Sequence, residues 1–247
     1  MLKSFVIFTL TFWWLIIGGF STTDYCMKNL CSSGRKHIAC NNTGDFAPAC
    51  PENQTEMVPM TQSLIDMILD SHNSKREILA SGNLPGFEPA AKMYEMGWSD
   101  ELAYLASLNA KRCLFAHDYC HNTEDIKSSG QNLAKMWWKG HSFTDDEIIS
   151  TRIDTWWAEY KITNMSQLQA YPRFTEKMIG HFTVMTAEKN KLAGCAAITY
   201  PENGMSSMTL CCNYAATNFI GQPMYTPGPT ASMCTSGTSS VYPSLCV

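Results

Sequence analysis

Eleven cysteines and six histidines are the side chains of this 247-residue sequence with the most chemistry to offer. A thiolate serves as a metal ligand, a redox centre or half of a disulfide, and the compartment decides which. The cysteines stand at positions 26, 31, 40, 50, 113, 120, 195, 211, 212, 234 and 246, an odd number, so full internal pairing leaves one over. Serine and histidine both occur, but no Gly-x-Ser-x-Gly sequence sets up a hydrolase nucleophile.

The N-terminus decides the compartment. One basic residue, Lys3, precedes an uncharged apolar run from Phe5 to about Phe20, and Gly19 and Ser21 place small residues two apart at its end. Cleavage of a signal peptide after Ser21 is the natural reading. A retained signal anchor is the alternative, because Phe12, Trp13, Trp14, Leu15, Ile16 and Ile17 are apolar enough to dwell in a bilayer. No later run is long and apolar enough to span one. Secretion makes the cysteines staples rather than zinc ligands or redox centres. Sequons at Asn41, Asn53 and Asn164 agree with that route as glycosylation sites.

Composition narrows the class further. With 45% hydrophobic and 16% charged residues the chain fills a sizeable core, which excludes a disordered or collagen-like protein. The formal charge is −4, or −5 (17 basic against 22 acidic) once Lys3 is removed, without basic or acidic blocks. That pattern points to no nucleic-acid groove and to no charge-driven partner.

The elements that must position any site follow from periodicity. The segment from 22 to about 59 is loop-rich, poor in apolar residues and dependent on Cys26, Cys31, Cys40 and Cys50 for fastening. Thr61 caps a first helix with Leu64, Ile65, Ile68, Leu69 and His72 as its stripe, and Gly82, Pro85, Gly86 and Pro89 end it. Ser99 caps a second, with Asp100 and Glu101 in its first turn, Leu102, Leu105, Ala106 and Cys113 on one face, and Asn109 interrupting that face. Asp145 or Asp146 is the expected cap of a third, whose Ile149, Ile153, Trp156 and Tyr160 face the core. Trp137, Trp138, Met93 and Met96 are less easily placed. Residues 181–186, 192–200 and 208–214 read as strands.

Asn203-Gly204 is the strongest hairpin signal in the chain. A two-residue loop there pairs Glu202 with Met205 and, counting outward, Cys195 with Cys212, leaving Cys211 on the other sheet face; one bulge would exchange Cys211 and Cys212. Beyond Pro223 a tail rich in Pro, Thr, Ser and Gly has Cys234 and Cys246 as its expected anchors. Helices followed by strands, without alternation, predict an α+β fold or three-layer sandwich rather than a doubly wound sheet.

Several segments then fall into one order. Gly180-His181-Phe182-Thr183-Val184-Met185 resembles the Gly-His-Phe/Tyr-Thr-Gln-Met signature of the CAP superfamily, which groups cysteine-rich secretory proteins, insect antigen 5 and plant pathogenesis-related 1 proteins. His72-Asn73 with Arg76, Cys113-Leu114-Phe115-Ala116-His117-Asp118, Gly130-Gln131-Asn132-Leu133-Ala134 and Trp156-Trp157-Ala158-Glu159 resemble its other segments, as do Cys212-Asn213-Tyr214 and Gly221-Gln222-Pro223-Met224-Tyr225. Asp24-Tyr25-Cys26 and the early cysteines are similar to the insect antigen 5 branch.

The resemblance implies a three-layer α-β-α sandwich with bridges Cys26–Cys40, Cys31–Cys120, Cys50–Cys113 and Cys195–Cys212. With the regions read from pattern, the chain divides into a signal peptide (1–21), a cysteine-rich extension (22–60), the CAP-like domain that the resemblance implies (61–225) and a tail (226–247). Cys211, Cys234 and Cys246 are left over: either Cys234–Cys246 closes the tail and Cys211 is free, or Cys211 bridges to the tail. The family's cleft residues map to His117, Gln131, Glu159 and His181. The two imidazoles could hold Zn²⁺, with none required; alternatively they hydrogen-bond to Glu159 and the Gln131 amide around a polar cleft. Gln131 stands where many members carry Glu, and a carboxamide cannot act as a base. Val184 and Thr186-Ala187 also depart from the usual Gln and Val-Trp. His121 and His141 fall outside these motifs and are expected in solvent. The expected protein is non-enzymatic and extracellular, recognising a protein, lipid or sterol, with a sterol or fatty-acid carrier and a metal-dependent hydrolase as the rival readings.

Overall fold

The computed structural model describes residues 23–247, so the expected signal peptide lies outside the described residues. A long hairpin organises the rest. Strands β5 (Leu192–Glu202) and β6 (Met205–Tyr214) are joined by Asn203 and Gly204, with φ of 52° and 72°. Two left-handed residues in succession make the turn whose twist matches that of the strands. No bulge intervenes, and Cys195 faces Cys212 in a disulfide with a Cα–Cα distance of 4.0 Å.

Around this hairpin, β4 (Gly130–Trp138) runs antiparallel along β6, and β1 (Glu56–Met57) pairs antiparallel with β5. The short β3 (Gly97–Trp98) adds to β5 in parallel. Side chains alternate between two apolar layers. Ala193, Cys195, Ala197, Leu210, Cys212 and Tyr214 enter the main core, while Leu133, Ala196 and Cys211 meet Ala106 on the opposite face. Cys211 is buried there as a free thiol.

Helices cover both faces, giving an α-β-α sandwich. On one side lies α2 (Asp100–Ala110), whose cap Ser99 accepts the Leu102 N–H at 3.2 Å and whose Leu102, Leu105 and Ala106 are buried. Its first turn presses so closely on β5 that a Cβ on Gly194 would lie 2.2 Å from the Ala103 nitrogen. Only glycine fits at that position. The helix stops at Ala110, so Cys113 lies beyond it with φ of 50° and turns the chain toward Cys50.

On the other side pack α1 (Gln62–Ala80) and α3 (Asp145–Trp157). Thr61 caps α1 as expected, but the buried stripe is Leu64, Ile68, His72, Asn73, Arg76 and Leu79, with Ile65 and Leu69 only half-buried. For α3 the cap is Thr144 rather than Asp145 or Asp146. Its hydroxyl accepts the Glu147 N–H and Glu147 returns a bond to the Thr144 N–H, so the two aspartates sit in the first turn, where the dipole favours them. Ile149, Ile153 and Trp156 are buried, and Tyr160 follows on a 3-10 turn, Ala158–Ile162.

The segment 181–186 is not a strand. It follows the short α4 (Met165–Gln169) and forms α5 (Gly180–Thr186), although Thr183, Val184 and Thr186 are β-branched, because the Glu159 carboxylate accepts the N–H groups of His181 and Phe182 at 2.9 and 3.0 Å. Tertiary anion capping outweighs local propensity here.

Five disulfides close the structure: Cys26–Cys40, Cys31–Cys120, Cys50–Cys113, Cys195–Cys212 and Cys234–Cys246. The tail has more than cysteines to anchor it. β7 (Thr226–Pro227) pairs with β2 (Ala90–Lys92), Leu245 is fully buried, Ser244 and Tyr242 donate to Glu77 and Asp70 at 2.6 Å each, and Cys246 N–H reaches Met93 C=O at 2.7 Å. Met93 and Met96, hard to place by pattern, are buried beneath it. Trp137 is 46% exposed at the far end of β4.

Candidate functional site

A cleft of about 540 Å³ opens where the loop after α2, the start of β4 and the start of α5 converge. His117, Gln131 and His181 line it; Glu159 stands behind His181 on the 3-10 turn that follows α3. These are the four positions expected from the sequence, and each histidine is fixed through its Nδ1.

His117 Nδ1 lies 2.8 Å from Gln131 Oε1. The orientation of that amide follows from its other end, since Gln131 Nε2 donates to Asp118 Oδ2 at 2.7 Å and to Asn213 Oδ1 at 3.0 Å. Oε1 is therefore the acceptor and His117 Nδ1 the donor. His181 Nδ1 lies 2.6 Å from Glu159 Oε1, and its ring stacks on Trp156 with centroids 5.9 Å apart. Trp156 is held in turn by its Nε1–H, which donates to Leu133 C=O at 3.1 Å. Neither Nε2 of His117 or His181 has a hydrogen-bond partner among the described residues.

Behind His117 lies a carboxylate that pattern alone did not mark. Asp118 has a side chain only 2% exposed, accepts from His121 Nδ1 at 2.7 Å through Oδ1, and from Asn109 Nδ2 at 2.8 Å and Gln131 through Oδ2. Burial by itself would raise this carboxyl; the hydrogen bond and charge of His121, with the two amides, outweigh it and hold it well below the usual carboxylate range. His121 is accordingly not in solvent. It is buried, with Nε2 3.3 Å from Gly130 C=O, whereas His141 is exposed as expected. The signal that could have found this pair is the helical-turn spacing of Asp118 and His121 directly after His117. Asn109, read as a polar interruption of α2, is one of the groups that hold the pair together.

A second buried network ties the cleft to the core. Asn132 Nδ2 donates to His181 C=O at 3.2 Å and to the Tyr214 hydroxyl at 3.4 Å, and that hydroxyl meets His72 Nε2 at 2.9 Å. Burial lowers His72 to about 4, so it is a neutral structural imidazole.

The donor set is thin for a metal. Among the described residues no group of three or more His, Cys, Asp and Glu is gathered to hold an ion. Glu159 is consumed by His181 and two backbone N–H groups, and Gln131 contributes no charge. The residues present offer two imidazole nitrogens and no complete metal site.

The arrangement agrees with the comparisons. Residues 69–214 match the model of the CAP, or cysteine-rich secretory protein, family. The chain is 41% identical over 225 residues to Venom allergen-1 of Aedes albopictus, covering 90% of this chain and 87% of that one. It is 36% identical to Venom allergen 5 2 of Polybia paulista, covering 82% and 98%. Among solved structures, NaASP2 with Zn²⁺ superposes with a TM-score of 0.64 at 23% identity, covering 80% of this chain and 100% of that one. The chain belongs to the CAP family of cysteine-rich secretory proteins and is an antigen 5-type member of it.

Proposed function

We propose that this protein is secreted and acts outside the cell without catalysing a reaction, recognising a protein or lipid in a fluid such as venom, saliva or reproductive secretion. One observation carries the reading: the cleft carboxylates are spent on holding its histidines, and among the described residues no hydroxyl or thiol is hydrogen-bonded to the free Nε2 of either ring to serve as a nucleophile. Glu159 accepts three hydrogen bonds, Gln131 is an amide, and Asp118 has both oxygens engaged. A general base needs a free lone pair within reach of a proton to be removed, and a nucleophile needs such a base beside it. Venom-allergen names among the relatives and five disulfides support an extracellular setting. Among the described residues no helix is long and apolar enough to cross a membrane.

Two measurements test the proposal. Zinc titration by calorimetry, on wild type and on a His117→Ala/His181→Ala variant, asks whether the imidazoles hold a metal. Strong zinc binding by wild type alone, accompanied by zinc-dependent hydrolysis of ester or peptide substrates, would overturn a purely recognitive role. Retention of radiolabelled cholesterol or palmitate through gel filtration tests the lipid arm.

A further inference from the structure

The family model begins at residue 69, yet one wall of the cleft comes from ahead of it. Ser32 and Arg35 reach the cavity from the cysteine-rich N-terminal segment. That segment is clamped to the cleft loop by Cys31–Cys120, by Ile38 N–H to Cys120 C=O at 2.8 Å, and by Asn122 Nδ2 to Leu30 C=O at 2.8 Å. His37 completes the clamp. Its Nδ1 accepts the Ala39 N–H at 3.1 Å, so Nε2 carries the proton and donates to Asn122 C=O at 2.7 Å. Arg35 is thus held by a covalent and hydrogen-bonded frame although its own side chain is exposed.

Lys127 and Ser128, on the loop before β4, line the same cavity. Neither Arg35 nor Lys127 forms an ion pair among the described residues. The one carboxylate in the lining, Asp118, is already fully hydrogen-bonded, and Glu159 is screened by His181. The uncompensated charge of the cleft is therefore positive, in a chain whose formal net charge is −4. At the rim, Tyr119 is 80%, Met178 67% and Phe219 51% exposed.

We propose that this cleft binds a phosphate monoester carrying an apolar arm, with the phosphate held by Arg35 and Lys127 and the arm lying on Tyr119, Met178 and Phe219. A guanidinium fork and an ammonium are the groups that suit phosphate oxygens, and the serine hydroxyls of the lining supply further donors. The inference rests on the cleft being a recognition site. The phosphate could belong to a single-chain phospholipid or to a small soluble ester.

Calorimetric titration of the full disulfide-bonded protein separates these sources with three probes: oleoyl lysophosphatidate, monoolein and glycerol phosphate. Lysophosphatidate is expected to bind, monoolein at least about tenfold more weakly, and glycerol phosphate more weakly again. Arg35→Ala and Lys127→Ala should each weaken lysophosphatidate by on the order of tenfold, the size of one charged hydrogen bond. Lys177→Ala, outside the lining, should leave it unchanged. Both cations are exposed, so these variants keep the fold, and near-ultraviolet circular dichroism verifies it. Equal binding of lysophosphatidate and monoolein, or unchanged binding by the Arg35→Ala/Lys127→Ala variant, overturns the proposal. Glycerol phosphate binding as tightly as lysophosphatidate overturns the role of the apolar rim. Retention of cholesterol by wild type and double variant alike, with no binding of any phosphate probe, overturns this inference while leaving recognition standing.

Discussion

Replacing Gln131 by glutamate puts a carboxylate in contact with Asp118, and in this chain it should make stability depend on pH. The Gln131 amide donates to Asp118 Oδ2 at 2.7 Å and to Asn213 Oδ1 at 3.0 Å, while its oxygen accepts from His117. The ionised form of the Gln131→Glu variant would set two carboxylate oxygens against each other and an oxygen against the Asn213 carbonyl. Losing one charged and one neutral hydrogen bond removes about 2–4 kcal/mol. Like-charge contact with Asp118 then raises the folded pKa of the new carboxyl above its value in the unfolded chain. For an acid with a raised folded pKa, the protonated form is the one the fold favours. Stability is therefore retained below the unfolded pKa and lost as pH rises through the folded one. At pH 4.5 the protonated carboxyl of the variant still donates to Asp118 and accepts from His117, and the deficit against wild type is about 1 kcal/mol. At pH 7.5, with that carboxyl ionised, it grows to about 3 kcal/mol or more, from the lost hydrogen bonds and the like-charge contact. Urea unfolding of both proteins, disulfides intact, reads this as a midpoint difference that rises from below ~0.5 M to above ~1 M. Adding Asp118→Asn should recover part of the loss at pH 7.5, because an amide can donate where the carboxylate repelled. A midpoint difference that stays the same at both pH values, or a double variant no better than the single, would refute the network as described.

Other expectations follow from the same packing. Arg76 is fully buried, and its five donor contacts end on the carbonyls of Tyr94, Met185, Ala187 and Asn190; Arg76→Ala should cost about 4 kcal/mol or more, read as a melting temperature lower by about 10 °C, and Arg76→Lys should recover less than half. Cys211 is free and buried, and burial pushes its thiol up; alkylation should label no cysteine in the native protein and one, at Cys211, after unfolding without reductant. Glu159→Gln should loosen the start of α5 by about 1–2 kcal/mol, visible as faster amide exchange at His181 and Phe182. Asn164 caps α4 (Met165–Gln169) through Oδ1, which an N-linked glycan on Nδ2 leaves in place; enzymatic deglycosylation should lower the mass without lowering the melting temperature, whereas Asn164→Ala should lower it.

What could be read in advance was whatever local chemistry decides. Two left-handed residues at Asn203-Gly204 set the hairpin register, and with it the choice of Cys212 over Cys211, because a two-residue loop admits one pairing. Thr61 and Ser99 cap their helices for equally local reasons. The failures are places where a distant group decides. β4 gave no alternating signal because both its faces are covered: Lys135 is buried against Glu202 at 2.7 Å, and Leu133 and Ala134 enter opposite layers. α5 carries strand-forming residues and is helical because Glu159 caps it from another element. His121 lacked a motif of its own, and its burial depends on Asp118, Asn109 and Gln131 arriving from three separate segments.

Glutamine at position 131 alters the charge of the whole cleft. A carboxylate there would hold His117 and face the cavity, adding negative charge to its wall. With glutamine in that place the negative charge resides instead on Asp118, one layer deeper, where His121 and two amides satisfy it. His117 keeps its orientation, since either side chain offers an oxygen to Nδ1, but the wall it belongs to loses its anion. Arg35 and Lys127 then act on the cavity without a nearby exposed carboxylate in the lining to offset them. Arg35 is held at the cleft by the Cys31–Cys120 staple together with the hydrogen bonds of Leu30, His37 and Ile38 to the cleft loop. Opening that bridge alone, by Cys31→Ser/Cys120→Ser, should therefore weaken binding of the phosphate ligand, though by no more than Arg35→Ala does, while leaving the Cys195–Cys212 core intact. If affinity survives both loss of the bridge and Arg35→Ala, the N-terminal wall plays no part in recognition.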